Sequence, residues 1–202
     1  MLKDDAHSFV AKSPLSDHKK RHSSLINHGM NPGLVSHFVK YTLHQICNTL
    51  LQGDQKERLM GYLQSKKYNL IAEELGLTLI QIPERDTQYS HEVRTTEELF
   101  VNTWSVVGLL DESYDSLQIS WGTHETRRPR DSEEDYKNRQ ISAPIWSCQV
   151  KTQSYEPEGG EFSGFCIPHA ESYSLVNFLK TETYSPSVYY SYLCPDDAKV
   201  LL

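Results

Sequence analysis

Chemistry in this chain would rest on two acids, an indole, an imidazole and a glycine-flanked helix start. A substrate that carries protonated amines needs carboxylates at fixed places, because each ammonium must keep its hydrogen bonds on leaving water. Glu84 and Glu112 are the candidates, and Asp86 can instead be the paired, structural acid of the run Glu84-Arg85-Asp86. Trp104 can offer an aromatic face to a cation, worth roughly 0.5–2 kcal/mol depending on how dry the site is. It can equally be a core tryptophan of an apolar strand, and the residue pattern leaves both open. His169 follows Pro168 where a strand gives way to a short helix, a place from which a loop presents a side chain to a cleft. Its ring can move protons to and from an amine near neutral pH.

The helix start lies in Asn27 to Lys40, NHGMNPGLVSHFVK. Asn31 is a suitable N-cap and Pro32 suits the first helical position. An apolar stripe follows at Val35, Val39, Leu43, Ile46 and Leu50. Gly29 and Gly33 flank the cap, so free N–H groups at the helix tip are expected to face a cofactor amide or a carboxylate.

The elements that must position these groups can be read in order. Leu25-Ile26 is a candidate strand end; helices are predicted over about 32–51, 54–65 and 68–75, with Gly53-Asp54 as stop and cap and Gly76 as the last stop. The aliphatic run Leu77 to Ile82 predicts a buried strand ending at Pro83, with Glu84 at its end. Strands are expected at Phe100 to Val107, Leu117 to Trp121, Ile145 to Thr152, Ser163 to Ile167 and Val188 to Leu193, and a helix over about 170–180. Gly159-Gly160 marks a hairpin turn, and Glu125 to Arg139 a charged, exposed loop. The fold class expected is α/β, with α+β as the alternative: a helical first part on a mixed, largely antiparallel sheet. Residues 1–23 are polar and without period, and read as a flexible leader or the remnant of an upstream domain.

With 202 residues, 38% apolar and 23% charged, the chain suits one soluble domain. The formal charge of -7 argues against nucleic acid and for a cationic ligand. No apolar run reaches membrane-spanning length, and the start MLKDDAHSFV lacks the pattern of a secretory signal, so a cytoplasmic location is expected. Cys47, Cys148, Cys166 and Cys194 form no C-x-x-C pair and read as reduced thiols. His124-Glu125 would need a histidine at position 128 to make a zinc motif, and Arg128 stands there, so no metal is expected.

Five segments in order carry a resemblance: NHGMNPGLVSHFVK, then ERDTQ from Glu84, FVNTWSV from Phe100, SWGTHE from Ser120 and PHAES from Pro168. Together they resemble bacterial homospermidine synthase, an NAD-dependent family related in fold to saccharopine dehydrogenase. The resemblance runs from about Ser24 to Leu202. It implies a substrate and catalytic domain over 24–202, truncated at both ends, that converts putrescine to homospermidine with release of ammonia through an imine. It also implies roles: Glu84 and Glu112 hold ammonium groups, Trp104 orients the diamine, His169 transfers protons, and Asn31 and Gly33 sit by the nicotinamide. None of the ten glycines makes the G-x-G-x-x-G turn that lets a backbone approach a pyrophosphate. A whole NAD is therefore expected to need a nucleotide-binding half from elsewhere, such as a separate chain, and the family implies a homodimer. Two alternatives stand beside this: a saccharopine dehydrogenase-type oxidoreductase acting on another amine, and a non-catalytic polyamine-binding fragment.

Overall fold

The computed structural model describes residues 28–29, 31–87, 105–126, 133–135 and 140–194. The expected leader, residues 1–23, and the strand end at Leu25-Ile26 lie outside them, as does most of the expected strand at Phe100 to Val107.

Helix α1 (Leu34–Gln45) runs into a short π-helical turn, Ile46–Leu50, and is followed by α2 (Gly53–Gln64) and α3 (Tyr68–Glu74). Of the predicted stripe, Leu43 is buried and Val35 and Val39 pack on the core, whereas Leu50 is 72% exposed. Widening of the helix into a π turn after Gln45 takes Leu50 off the core face. At the end of α3 the N–H of Gly76 donates to the Glu73 carbonyl and that of Leu77 to the Ala72 carbonyl. This is the reverse turn a left-handed residue allows, and Gly76 supplies it at φ 62. The same pair of bonds closes α2, from Lys66 to Leu63 and from Lys67 to Tyr62, but there the left-handed residue is Lys66 at φ 55.

Strand β1 (Leu79–Arg85) starts a sheet that, among the described residues, has seven strands and is completed by β2 (Ser116–Ser120), β3 (Glu133–Asp135), β4 (Gln140–Trp146), β5 (Lys151–Glu156), β6 (Gly160–Phe165) and β7 (Ser187–Leu193). One edge of β7 pairs in parallel with β1 along seven residues, Leu79 with Ser187 through Arg85 with Leu193. Its other edge meets β2 at Val188 and β6 at Tyr192, both antiparallel. The sheet is thus mixed and largely antiparallel, as expected. β1 does not stop at Pro83. Its only strand partner among the described residues is β7, and an edge strand tolerates a proline because one side of its backbone needs no donor.

Three other expectations are corrected. Val106 and Val107 open a helix, α4 (Val106–Tyr114), because Ser105 caps it by accepting from the Gly108 N–H at 3.0 Å. The charged stretch Glu125 to Arg139 holds β3, a short strand that covers the edge of β4. The strand expected over Ile145 to Thr152 is two strands, broken by a 3-10 turn at Ser147–Gln149. The Gly159-Gly160 turn does join β5 to β6, with Gly160 at φ 77.

Helix α5 (Ala170–Leu179) presents Leu175, Val176 and Leu179 to the interior, all at most 2% exposed. Burying such side chains contributes about 1.5–3 kcal/mol each. With α4 and the first turns of α1 it covers the face of β1 and β7 that carries Ile82, Val188, Tyr190 and Tyr192. Leu179 also reaches the helical core of Leu43, Cys47, Leu59, Leu63, Ile71 and Ala72, which ties the helical first part to the sheet. Among the described residues, no helix is long and apolar enough to cross a membrane.

Candidate active site

Strand geometry places the first acid. Side chains two apart share a face, so Ile80, Ile82 and Glu84 line up along β1, with the two isoleucines packed on the core and Glu84 half-buried just past it. In the parallel register Ile82 sits beside Tyr190 and Glu84 beside Tyr192. The Tyr190 hydroxyl donates to Glu84 Oε2, and Asn31 Nδ2 donates to the same oxygen at 2.6 Å and reaches the Tyr190 hydroxyl at 2.5 Å. A carboxylate, a phenol and an amide from three separated segments therefore meet at one point. Asn31 Oδ1 is buried there without a hydrogen-bond partner among the described residues.

The imidazole comes next. His169 is the extended residue before α5, and its Nδ1 lies within hydrogen-bond distance of Glu171 Oε2. The other oxygen of Glu171 accepts from the Gly33 N–H at 2.7 Å. The ring of His169 stacks on that of Tyr190, with centroids 4.6 Å apart and planes 16° from parallel. Burial alone would raise the Glu171 carboxyl, but the hydrogen bonds from His169 and Gly33, and the charge that His169 carries when protonated, hold it below its ordinary value.

Glu112 projects from α4 into the same space. Burial pushes its carboxyl above the ordinary value, the charge of a protonated His169 opposes this, and those of Glu84 and Asp115 add to it. The cavity has a volume of about 1040 Å³ and is lined by Asn31, Glu84, Asp86, Glu112, His169 and Tyr190 at its polar end, and by apolar residues of α1 and β1 elsewhere. Arg85 lines it too, but its guanidinium is paired with Glu156 at 2.9 Å. Arg85 thus pairs with Glu156 rather than with Asp86, whose carboxylate lies 3.4 Å from the Tyr192 hydroxyl. Among the described lining residues the acids outnumber the bases, and such a pocket suits a cation.

The helix start is built differently from the expectation. The residue before α1 is Gly33, Asn31 makes no cap hydrogen bond, and the Asn31-Pro32 peptide is cis. At φ 127 a side chain on Gly33 would meet the backbone of His28 and Gly29 within 3 Å, so glycine is needed for the turn itself. The N–H groups of Gly33 and Leu34 are taken by Glu171 and the Gly29 carbonyl. The tip is not bare: Asn31 reaches the site through its side chain, and Gly33 does so by anchoring Glu171.

Of the residues expected at the site, Glu84, Glu112, His169 and Asn31 converge on one cavity. Trp104 lies outside the described residues. Trp121 is buried, at 8% exposed, while Trp146 is 51% exposed and meets Tyr114 edge-on. Tyr190 and Glu171 were not singled out from the sequence; the nearest signal was the glutamate two residues after His169 in the PHAES segment. Among the described residues no group of three or more His, Cys, Asp or Glu could hold a metal ion.

A mixed sheet flanked by helices, with an acid-lined pocket beside the helix start, defines a class of domain: the chain belongs to the saccharopine dehydrogenase C-terminal domain family, whose model matches residues 29–201. Within that class the chain is similar to homospermidine synthases. The enzyme of Blastochloris viridis is 31% identical and that of Mesorhizobium japonicum 28% identical over 185 residues, 86% of this chain and 37% of each relative. The crystal structure of the homospermidine synthase from Legionella pneumophila in complex with NAD superimposes with a TM-score of 0.75 at 35% identity, covering 92% of this chain and 40% of that one. The chain therefore spans about two fifths of the length of the proteins it matches.

Proposed function

We propose that this chain carries the substrate-binding and catalytic part of a homospermidine synthase: two molecules of putrescine are joined through an imine to give homospermidine and ammonia, NAD being used and regenerated. The observation that carries this reading is the meeting of Glu84, Glu112, His169 and Asn31 on one acid-rich cavity. Glu84 and Glu112 bind the ammonium ends of the diamine through charge-assisted hydrogen bonds. Tyr190 and Asn31 keep the Glu84 carboxylate in place, so it is oriented before the amine arrives. His169 takes protons from the amine nitrogen and returns them as ammonia departs. On the resemblance, Trp104 shelters the cationic alkyl chain. The apolar remainder of the cavity excludes water, which an imine requires if it is not to hydrolyse.

The structural relative holds NAD. Asn31 Oδ1, buried and without a partner among the described residues, suits a carboxamide N–H, so Asn31 is the residue that would hold the nicotinamide, with Gly33 acting indirectly through Glu171. When bound, that group supplies a hydride acceptor and donor. The rest of the dinucleotide would be held by a nucleotide-binding half in the same or another chain, in a cytoplasmic homodimer.

Calorimetry with putrescine and with its carboxylate-bearing analogue ornithine tests the reading. Putrescine should bind, ornithine much more weakly, and Trp104→Ala should abolish putrescine binding. Binding of ornithine as tightly as putrescine would instead support the saccharopine dehydrogenase-type alternative, although Arg85, which lines the cavity, is already paired with Glu156. Putrescine binding with no homospermidine formed, once NAD and a nucleotide-binding half are supplied, would leave a polyamine-binding role without catalysis.

A further inference from the structure

His169 has two ring nitrogens, and they face different surroundings. Nδ1 is held against Glu171, which is 2% exposed. Nε2, at the far edge of the ring, has no protein hydrogen bond among the described residues and belongs to the side chain that lines the cavity. We propose that Glu171 is a positioning residue that holds His169 in the tautomer with its proton on Nδ1, so that Nε2 turns a bare lone pair to the cavity as the proton acceptor for the bound amine. The identity of that amine rests on the function proposed above; the tautomer does not.

The chemistry of the contacts forces the assignment. An ionised carboxylate can only accept hydrogen bonds. Glu171 spends one oxygen on the Gly33 N–H and turns the other to Nδ1, so Nδ1 must be the donor. A neutral ring with its proton on Nδ1 has none on Nε2. Stacking on Tyr190 fixes the plane of the ring, which leaves rotation about the side chain little room to exchange the two nitrogens. The anchor at Gly33 also ties this unit to the turn that carries Asn31, so the orientation of the imidazole and that of the amide are set by the same short segment.

Glutamine at position 171 separates this role from mere packing. Its single oxygen is needed by the Gly33 N–H, which turns its amide NH₂ toward Nδ1. Nδ1 must then accept, and the ring proton moves to Nε2. Nitrogen-15 NMR of the histidine rings, recorded on the chain without amine or nucleotide at a pH where the rings are neutral, reads this directly, and His169→Gln identifies which signal is lost. In the wild-type chain the His169 proton should sit on Nδ1, and in Glu171→Gln on Nε2. A wild-type ring protonated on Nε2, or a Glu171→Gln spectrum with an unchanged tautomer, overturns the proposal. Should Glu171→Gln not fold, the wild-type spectrum alone decides. Because no diamine is present, failure of the tautomer and failure of the putrescine reading show up in different experiments.

Discussion

Replacing Glu112 with glutamine should move stability and ligand binding in opposite directions. Burial holds this carboxyl above its ordinary value, and the charges of Glu84 and Asp115 add to the effect. The folded chain therefore binds the proton more tightly than the unfolded chain does. Above both pKa values the ionised group lowers stability, and that loss vanishes as the pH falls through the raised folded value toward the unfolded one. Glutamine keeps the shape without the charge, so at neutral pH the urea midpoint should rise, with the gap closing on acidification. A diamine reverses the sign. A hydrogen bond from an ammonium to a carboxylate contributes about 1.5–3 kcal/mol, which is about 10- to 150-fold in affinity. Calorimetry at neutral pH and low salt should show putrescine binding weakened by that factor, while the urea titration shows a sturdier chain. A variant that unfolds more readily at neutral pH would mean that Glu112 is better solvated than its place on α4 implies. An unchanged affinity would mean that no ammonium is held there.

Three further outcomes can be checked. Ser105→Ala removes the acceptor for the Gly108 N–H and should take about 1 kcal/mol from α4. In differential scanning calorimetry that is a midpoint about 2–4 °C lower, and putrescine should bind more weakly because α4 carries Glu112. Lys66→Gly places a glycine where φ is 55 and should raise the midpoint by a similar amount, since a side chain costs about 1 kcal/mol or more in left-handed backbone. The carboxyl of Glu171 is held below its ordinary value, so its contribution is present above the unfolded pKa and lost as the pH falls through the folded one. The wild-type urea midpoint should accordingly fall more steeply across that acid range than that of Glu171→Gln; parallel curves would contradict the assignment.

The parts of the fold that follow from short-range chemistry were legible in the sequence. Gly76 ends α3 by a turn that only neighbouring residues make, and Gly160 closes the β5–β6 hairpin in the same way. Glu84 was readable because an acid directly after an aliphatic run must sit where the core ends. Tyr190 was not. It is one of twelve tyrosines, and its value to the site comes from a register with β1 that no local pattern encodes. Glu171 looked like an ordinary acid in a first helical turn until burial and the Gly33 N–H gave it a different task. Asn31 failed as a cap for a related reason: the pull on its amide comes from Glu84, far along the chain, and outweighs the local preference of Asn before Pro. Val106 and Val107 favour strands by type, yet the single hydroxyl of Ser105 starts a helix through them.

The parallel pairing of β1 with β7 sets a delay on the ribosome. Glu84 and Tyr190 are separated by 106 residues, so at about 5–20 residues per second the acid emerges roughly 5 to 20 s before the phenol that will hold it. Throughout that interval Leu79, Ile80 and Ile82 lack the strand they align with, and such an unpaired strand readily joins another chain. Slow codons or cold growth would lengthen the wait, and holding chaperones should be needed most at the stage when β1 is out and β7 is still in the tunnel.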